Sequence, residues 1–307
     1  MIGFESLKSR MLRDFSNKKL HHGILLYGPK GCGKASFLQD LCASLLQNKG
    51  SELSDLRVIN KEDGKKSISV KSVRDCQEFL NHGSAISGYK FLIVDAACEL
   101  GRSAANALLK SLEEPKKDSF IFMVAHNLFQ VLPTIRSRCM LIKSPRLSKE
   151  EFLNALKISN CDFTSSENDF LAEISNFAPA IAIAQGKEMI EIYEILLQVA
   201  LQQKLREEYL KKFSEKNFDL VLFERMQIVF FHRLLLFRKY FSVNRECLSR
   251  LSSQESATFQ KFDKASIDQL LWTMQENFSY CQSANMLNLD KKAVIIFCFE
   301  NILKILV

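Results

Sequence analysis

The sequence predicts an α/β phosphate-loop domain built on a parallel sheet, followed by an all-α region. Three observations carry that prediction. Strand-like and helix-like segments alternate through residue 144. The stretch GPKGCGKAS, residues 28–36, sits between an apolar run and a helical pattern. Beyond Pro145 no convincing strand pattern appears, and long amphipathic stretches take over.

The elements follow in order. Residues 4–17 read as a helix. HGILLYG (22–28) is a short apolar run closed by glycine, which predicts a buried strand. After the loop a helix runs to about residue 47, with Phe37, Leu38, Leu41 and Leu45 on its apolar face. LRVIN (56–60) alternates as a strand, DGKK is a turn, and residues 67–84 give a short extended piece and a helix. YKFLIVDAA (89–97) is a strongly apolar strand ending at an aspartate. The helix 103–115 stops at Pro115, as a residue before proline leaves the helical region. SFIFMVAHN (119–127) and MLIKS (140–144) are further strands, with a loop and short helix over 131–139 between them. Ser148 and Glu151 form a capping box that opens a helix over 147–159. Residues 167–186 read as two short helices, and long amphipathic helices start near residue 189. The expected domains are therefore 1–145, 146–189 and 190–307.

Composition bounds the class. The chain has 307 residues, 47% hydrophobic and 25% charged, an ordinary globular balance. No apolar run reaches membrane-spanning length and no signal-peptide pattern opens the chain, so no membrane contact and a cytoplasmic location are expected. The nine cysteines are odd in number and scattered, with no C-x-x-C pair, so reduced, mostly buried thiols are expected and no zinc site. The net charge of +7 suits contact with nucleic acid without establishing it.

The loop carries the chemistry. Gly28, Pro29, Lys30, Gly31, Cys32, Gly33, Lys34 and Ala35 occupy the positions of a phosphate loop, with Gly28, Gly33 and Lys34 matching G-x-x-x-x-G-K-[ST]. Such glycines let backbone N–H groups converge on phosphates, the lysine neutralises charge, and a hydroxyl holds Mg²⁺. The hydroxyl position is Ala35, and Ser36 is rotated by about 100° away. Asp95, closing FLIVD, is either the Mg²⁺-side aspartate or a turn cap. Where a water-activating glutamate would follow stand Ala96 and Ala97. Hydrolysis is therefore not expected here, whereas nucleotide binding through Lys34 and the backbone stays open.

Two longer stretches are more specific than the loop. GYKFLIVDAACELGRSAANALLKSLEEP and LPTIRSRC resemble the bacterial replication clamp loader subunits, a branch of the AAA+ ATPases. KKLHHGILLYGPKGCGK and KSISVKSVRD are similar to the family's first strand and loop and to its I-x-V-D-x-I-R segment. The resemblance is strong over residues 1–145. It is loose beyond, through FAPAIAIAQG and NMLNLDKKAVI. It implies an AAA+ domain, a helical lid and a helical collar. Family members of the gamma/tau type hydrolyse ATP, whereas those of the delta-prime type commonly have a degenerate site. Ala35, Ala96 and Ile181, at the loosely aligned position of a lid arginine, are departures of the delta-prime kind. The resemblance makes Arg138 of Ser137-Arg138-Cys139 an arginine finger acting in trans; on composition alone it is a surface arginine. Asn127, or His126 beside it, takes the sensor position. Arg102 and Lys110 are candidate DNA contacts, or simply solvated cations. Phe223, Phe230, Phe231, Leu234, Leu235, Phe237 and Phe241 read as core, or in part as collar interface. Implied partners are gamma/tau and delta subunits in a pentamer, the sliding clamp and primed DNA. ATP bound without hydrolysis is the implied cofactor. The alternatives are a working gamma/tau-type ATPase and a stand-alone DNA-processing factor.

Overall fold

The computed structural model describes residues 2–47, 53–62, 64–65, 67–82, 88–213, 218–241, 252–287 and 289–306, without the side chains of 240 and 241. Cys247 and the Phe241 side chain thus lie outside the described residues, as does part of the DGKK turn. The chain forms two compact units, Met1–Phe163 with Ser175–Ala184, and Thr164–Ile174 with Gln185–Val307.

The first unit is built on a five-stranded sheet in the order β2-β3-β4-β1-β5, with every neighbouring pair parallel. The strands are β1 (Gly23–Tyr27), β2 (Leu56–Asn60), β3 (Lys90–Asp95), β4 (Ser119–Ala125) and β5 (Met140–Lys143). Alternation of side chains sends successive residues to opposite faces. Ile24, Leu26, Phe91, Ile93, Phe122 and Val124 face one helical layer, α1 (Glu5–Ser16) and α2 (Lys34–Gln47). Leu25, Leu92, Val94, Ile121 and Met123 face the other, α3 (Val70–Asn81) and α4 (Arg102–Glu113). Both faces are covered, which is why β1, β3 and β4 read as continuous apolar runs rather than as alternation. Edge strand β2 is the exception, with Arg57 and Val58 exposed. A four-residue helix, α5 (Pro133–Arg136), precedes β5. The helix α6 (Lys149–Ile158) opens on the expected capping box.

One expectation fails in the helical region. The second of the two short helices is instead α8, which runs unbroken from Pro179 to Gln202 after α7 (Ser165–Ile174). Gly186 lowers helix propensity by about 1 kcal/mol. Met189, Ile192, Leu196, Val199 and Ala200 are fully buried, and that packing outweighs one glycine.

The second unit adds α9 (Glu207–Phe213), α10 (Leu220–Phe241), α11 (Ser253–Gln260), α12 (Ile267–Leu287) and α13 (Lys291–Lys304). Phe223, Phe230, Phe231, Leu234 and Phe237 of α10 are all buried within the chain, so this stripe is core. Exposed apolar side chains lie instead mainly on α12, at Trp272, Phe278, Met286 and Leu287. Inside the unit, the buried Arg233 guanidinium donates to Glu255 at 2.8 Å and to Glu173 at 2.7 Å. The Tyr193 hydroxyl donates to Glu255 at 2.7 Å. Burial first, then the Glu255 carboxylate, pushes the Tyr193 phenol well up.

The eight described cysteines are free thiols. Burial pushes Cys76 up to about 11 and Cys139 up to about 12, so both are inert at neutral pH. Among the described residues no helix is long and apolar enough to cross a membrane.

Removing one member of a buried ion pair strands the other. Glu255→Ala also deletes the Tyr193 acceptor and the α11 capping box. We expect it to destabilise the helical unit by about 3–5 kcal/mol, seen in urea denaturation followed by circular dichroism. Loss within about 1 kcal/mol would refute the network's importance.

Candidate nucleotide-loop site and surface arginine

The loop leaves the sheet at a crowded point. β1 lies between β4 and β5; the Gly28 N–H donates to Ala125 O at 3.1 Å, and the Ser144 N–H donates to Tyr27 O at 2.8 Å. A side chain at Gly28 would put its Cβ 2.0 Å from Ser144 Oγ and 3.1 Å from Ser144 Cβ, so it would force Ser144 to move. Gly31 and Gly33 take the left-handed region, at φ +80° and +89°, as loop geometry requires.

Within the loop Lys34 turns inward. Its ammonium donates to Gly28 O at 2.8 Å and to Pro29 O, and lies 3.6 Å from Cys32 Sγ. Lys34 is 3% exposed, and burial pulls its pKa down while Cys32 and Asp95 oppose that shift. The Cys32 thiol donates to Pro29 O at 3.2 Å and lies 3.6 Å from Ser144 Oγ. Ile181, from the first turn of α8, covers the outside of the loop. A Cβ on Gly31 would meet Ile181 Cγ1 at 2.8 Å, and the Ala180 N–H donates to Gly31 O at 3.1 Å. Ala35 packs its methyl against the α1–α2 core, and Ser36 is exposed.

The remaining loop-side groups divide. Asp95 ends β3 and lies close enough to act electrostatically on Lys34 and on His126. Burial and then Lys34 pull the His126 pKa down, and its Nδ1 is buried without a hydrogen bond among the described residues. Asn127 is engaged elsewhere. Its Oδ1 accepts the Phe129 N–H at 2.9 Å and caps a single turn of 3₁₀ helix. His126 thus lies in the field of Lys34, while Asn127 uses its Oδ1 within its own turn. Glu99 pairs with Lys61 at 3.4 Å and acts electrostatically on His126. These residues keep the shape of a phosphate loop, with no hydroxyl at 35 and no carboxylate at 96, the two positions that serve Mg²⁺ and water in nucleotide hydrolysis.

Arg138 stands apart, immediately before β5. Its Nη2 pairs with Glu113 Oε1 at 2.6 Å, and its Nη1 donates to Thr134 O at 3.0 Å and Ser137 Oγ at 3.2 Å. The side chain is 36% exposed. Arg102 and Lys110 both project from the exposed side of α4, about 12 Å apart along its axis. No signal in the sequence pointed to Ser144 over Gly28 or to Glu113 on Arg138, because both are contacts between distant segments.

Comparison with known proteins agrees with this architecture. Residues 4–148 match the family described as DNA polymerase III, delta subunit. Over 136 residues the chain is 35% identical to DNA polymerase III subunit delta' of Pseudomonas aeruginosa, covering 39% of this chain and 42% of that protein. Over 171 residues it is 29% identical to DNA polymerase III subunit gamma of Buchnera aphidicola subsp. Schizaphis graminum, covering 51% of this chain and 47% of that protein. The matches thus span less than half the length of either curated relative. A DNA polymerase III gamma subunit-related protein from Thermotoga maritima shares the fold over 99% of this chain and 100% of that chain, with a TM-score of 0.50 and 17% identity.

The contact over Gly31 is testable. Gly31→Ala adds both left-handed strain and a clash with Ile181, and should cost about 1–3 kcal/mol in thermal denaturation. Ile181→Ala in the same chain should recover the steric part only. A neutral Gly31→Ala would contradict this packing.

Proposed function

We propose, from the premise that the domain over residues 4–148 belongs to the DNA polymerase III delta family of clamp-loader subunits, that this chain is a delta-prime-type subunit. In this reading it completes a hetero-oligomer with gamma/tau and delta subunits and helps place the sliding clamp on primed DNA. One observation carries the assignment: the chain presents Arg138 at its surface while its own loop lacks the groups for hydrolysis. Any nucleotide taken at Gly28–Ala35 then stays unhydrolysed. The Arg138 guanidinium would stabilise charge on the phosphate transferred in a neighbouring subunit. Arg102 and Lys110 would contact DNA phosphates, giving a salt-dependent contribution.

The similarity to gamma subunits supports a second reading, a working ATPase of the gamma/tau type. Steady-state ATP turnover by the purified chain with primed DNA decides between them. Activity at the background of Lys34→Ala is expected, and turnover well above it would favour the second reading. Mixing with gamma/tau and delta subunits tests assembly, since failure to co-elute would favour a stand-alone factor.

The finger has its own measurement. Arg138→Ala should cut hydrolysis at the site it serves by about 10³-fold or more, lowering the reconstituted complex's turnover by that site's share. Co-elution should be intact. Unchanged turnover would sink the role in trans.

A further inference from the structure

We infer that Glu113 is a latch that parks Arg138 on its own chain until a neighbour's phosphate competes for it. The inference rests on the trans role proposed above and adds a control to it. Three observations support it.

Both terminal nitrogens of Arg138 are engaged: Nη2 by Glu113 at 2.6 Å, Nη1 by Thr134 O at 3.0 Å and Ser137 Oγ at 3.2 Å. These are the atoms that would grip a phosphate oxygen, so parking and reaching exclude one another in part. Glu113 is also badly placed for its own helix. It is the last residue of α4, where the dipole is negative and a cation is preferred, and Glu114 follows it. Helix stability gives no reason for an acid there, whereas the guanidinium supplies one. Finally, the pair is poised to open. Its side chains are 36% and 47% exposed, and an ion pair so wetted is weak, salt-sensitive and easily displaced by a doubly charged phosphate group. A buried pair could not release its arginine, and an unpaired arginine would need no release.

Glu113→Gln keeps size and hydrogen bonding and removes the charge, at a half-exposed site where folding is not at stake. In the isolated chain, phenylglyoxal modification of Arg138, mapped by mass spectrometry, should accelerate about two- to five-fold. In the complex reconstituted with gamma/tau and delta subunits, half-saturation by ATP should fall by a similar factor, about two- to five-fold, with kcat retained. That difference should shrink as salt rises. Glu113→Asp, which keeps the charge, should restore wild-type behaviour at least in part. An unchanged half-saturation overturns the latch. A drop in kcat also overturns it, because Glu113 would then be orienting Arg138. These failures are distinct from that of the parent reading, in which Arg138→Ala itself leaves the complex's turnover unaltered; the latch then falls with it.

Discussion

The site depends first on one constraint of space at Gly28. β1 is flanked on both sides, and the strand that closes one side brings Ser144 Oγ to the point a Cβ would occupy. Beside that contact, the Gly28 N–H on Ala125 O and the Ser144 N–H on Tyr27 O hold the point at which the chain leaves the sheet. The Gly28 and Pro29 carbonyls that follow are what Lys34 binds. The loop's geometry is thus set by the sheet and by the chain itself.

Inside the helical unit, two groups of buried polar side chains are paired with one another. Arg233 and Glu255 meet inside the helical unit with Tyr193, and Asn277 bridges Gln227, Asn301 and the Cys298 carbonyl. Each member answers a desolvation cost that apolar residues would not incur. Such a network gives α10, α12 and α13 a defined register in a unit otherwise rich in interchangeable phenylalanines. Four buried side-chain atoms contrast with them in lacking a hydrogen bond among the described residues: His126 Nδ1, Arg136 Nε, Ser175 Oγ and Gln254 Nε2.

Much of the fold was legible in the sequence because its signals are local. Apolar runs marked β1, β3 and β4, and Pro115 and Ser148 marked helix ends within a residue or two. The missing hydroxyl at Ala35 and the missing carboxylate at Ala96 could be read from single letters. What stayed hidden depends on distant segments meeting. Gly186 looks like a stop until the buried side chains beyond it are known. That the Asn127 amide oxygen caps the turn at Phe129 was likewise not legible. The Arg138–Glu113 pair joins the end of α4 to the segment before β5, and no spacing rule announces it. The α10 phenylalanines read as core or in part as interface, and the sequence left open which surface covers them.

The packing of Ala35 bears on any attempt to rebuild the loop. Its methyl packs against the apolar layer that α1 and α2 share, and the carbonyl four residues back, Gly31 O, accepts the Ala180 N–H. A hydroxyl placed at 35 would therefore put a polar group against that apolar layer. Restoring the missing letter is a change to the packing of the domain as well as to its loop.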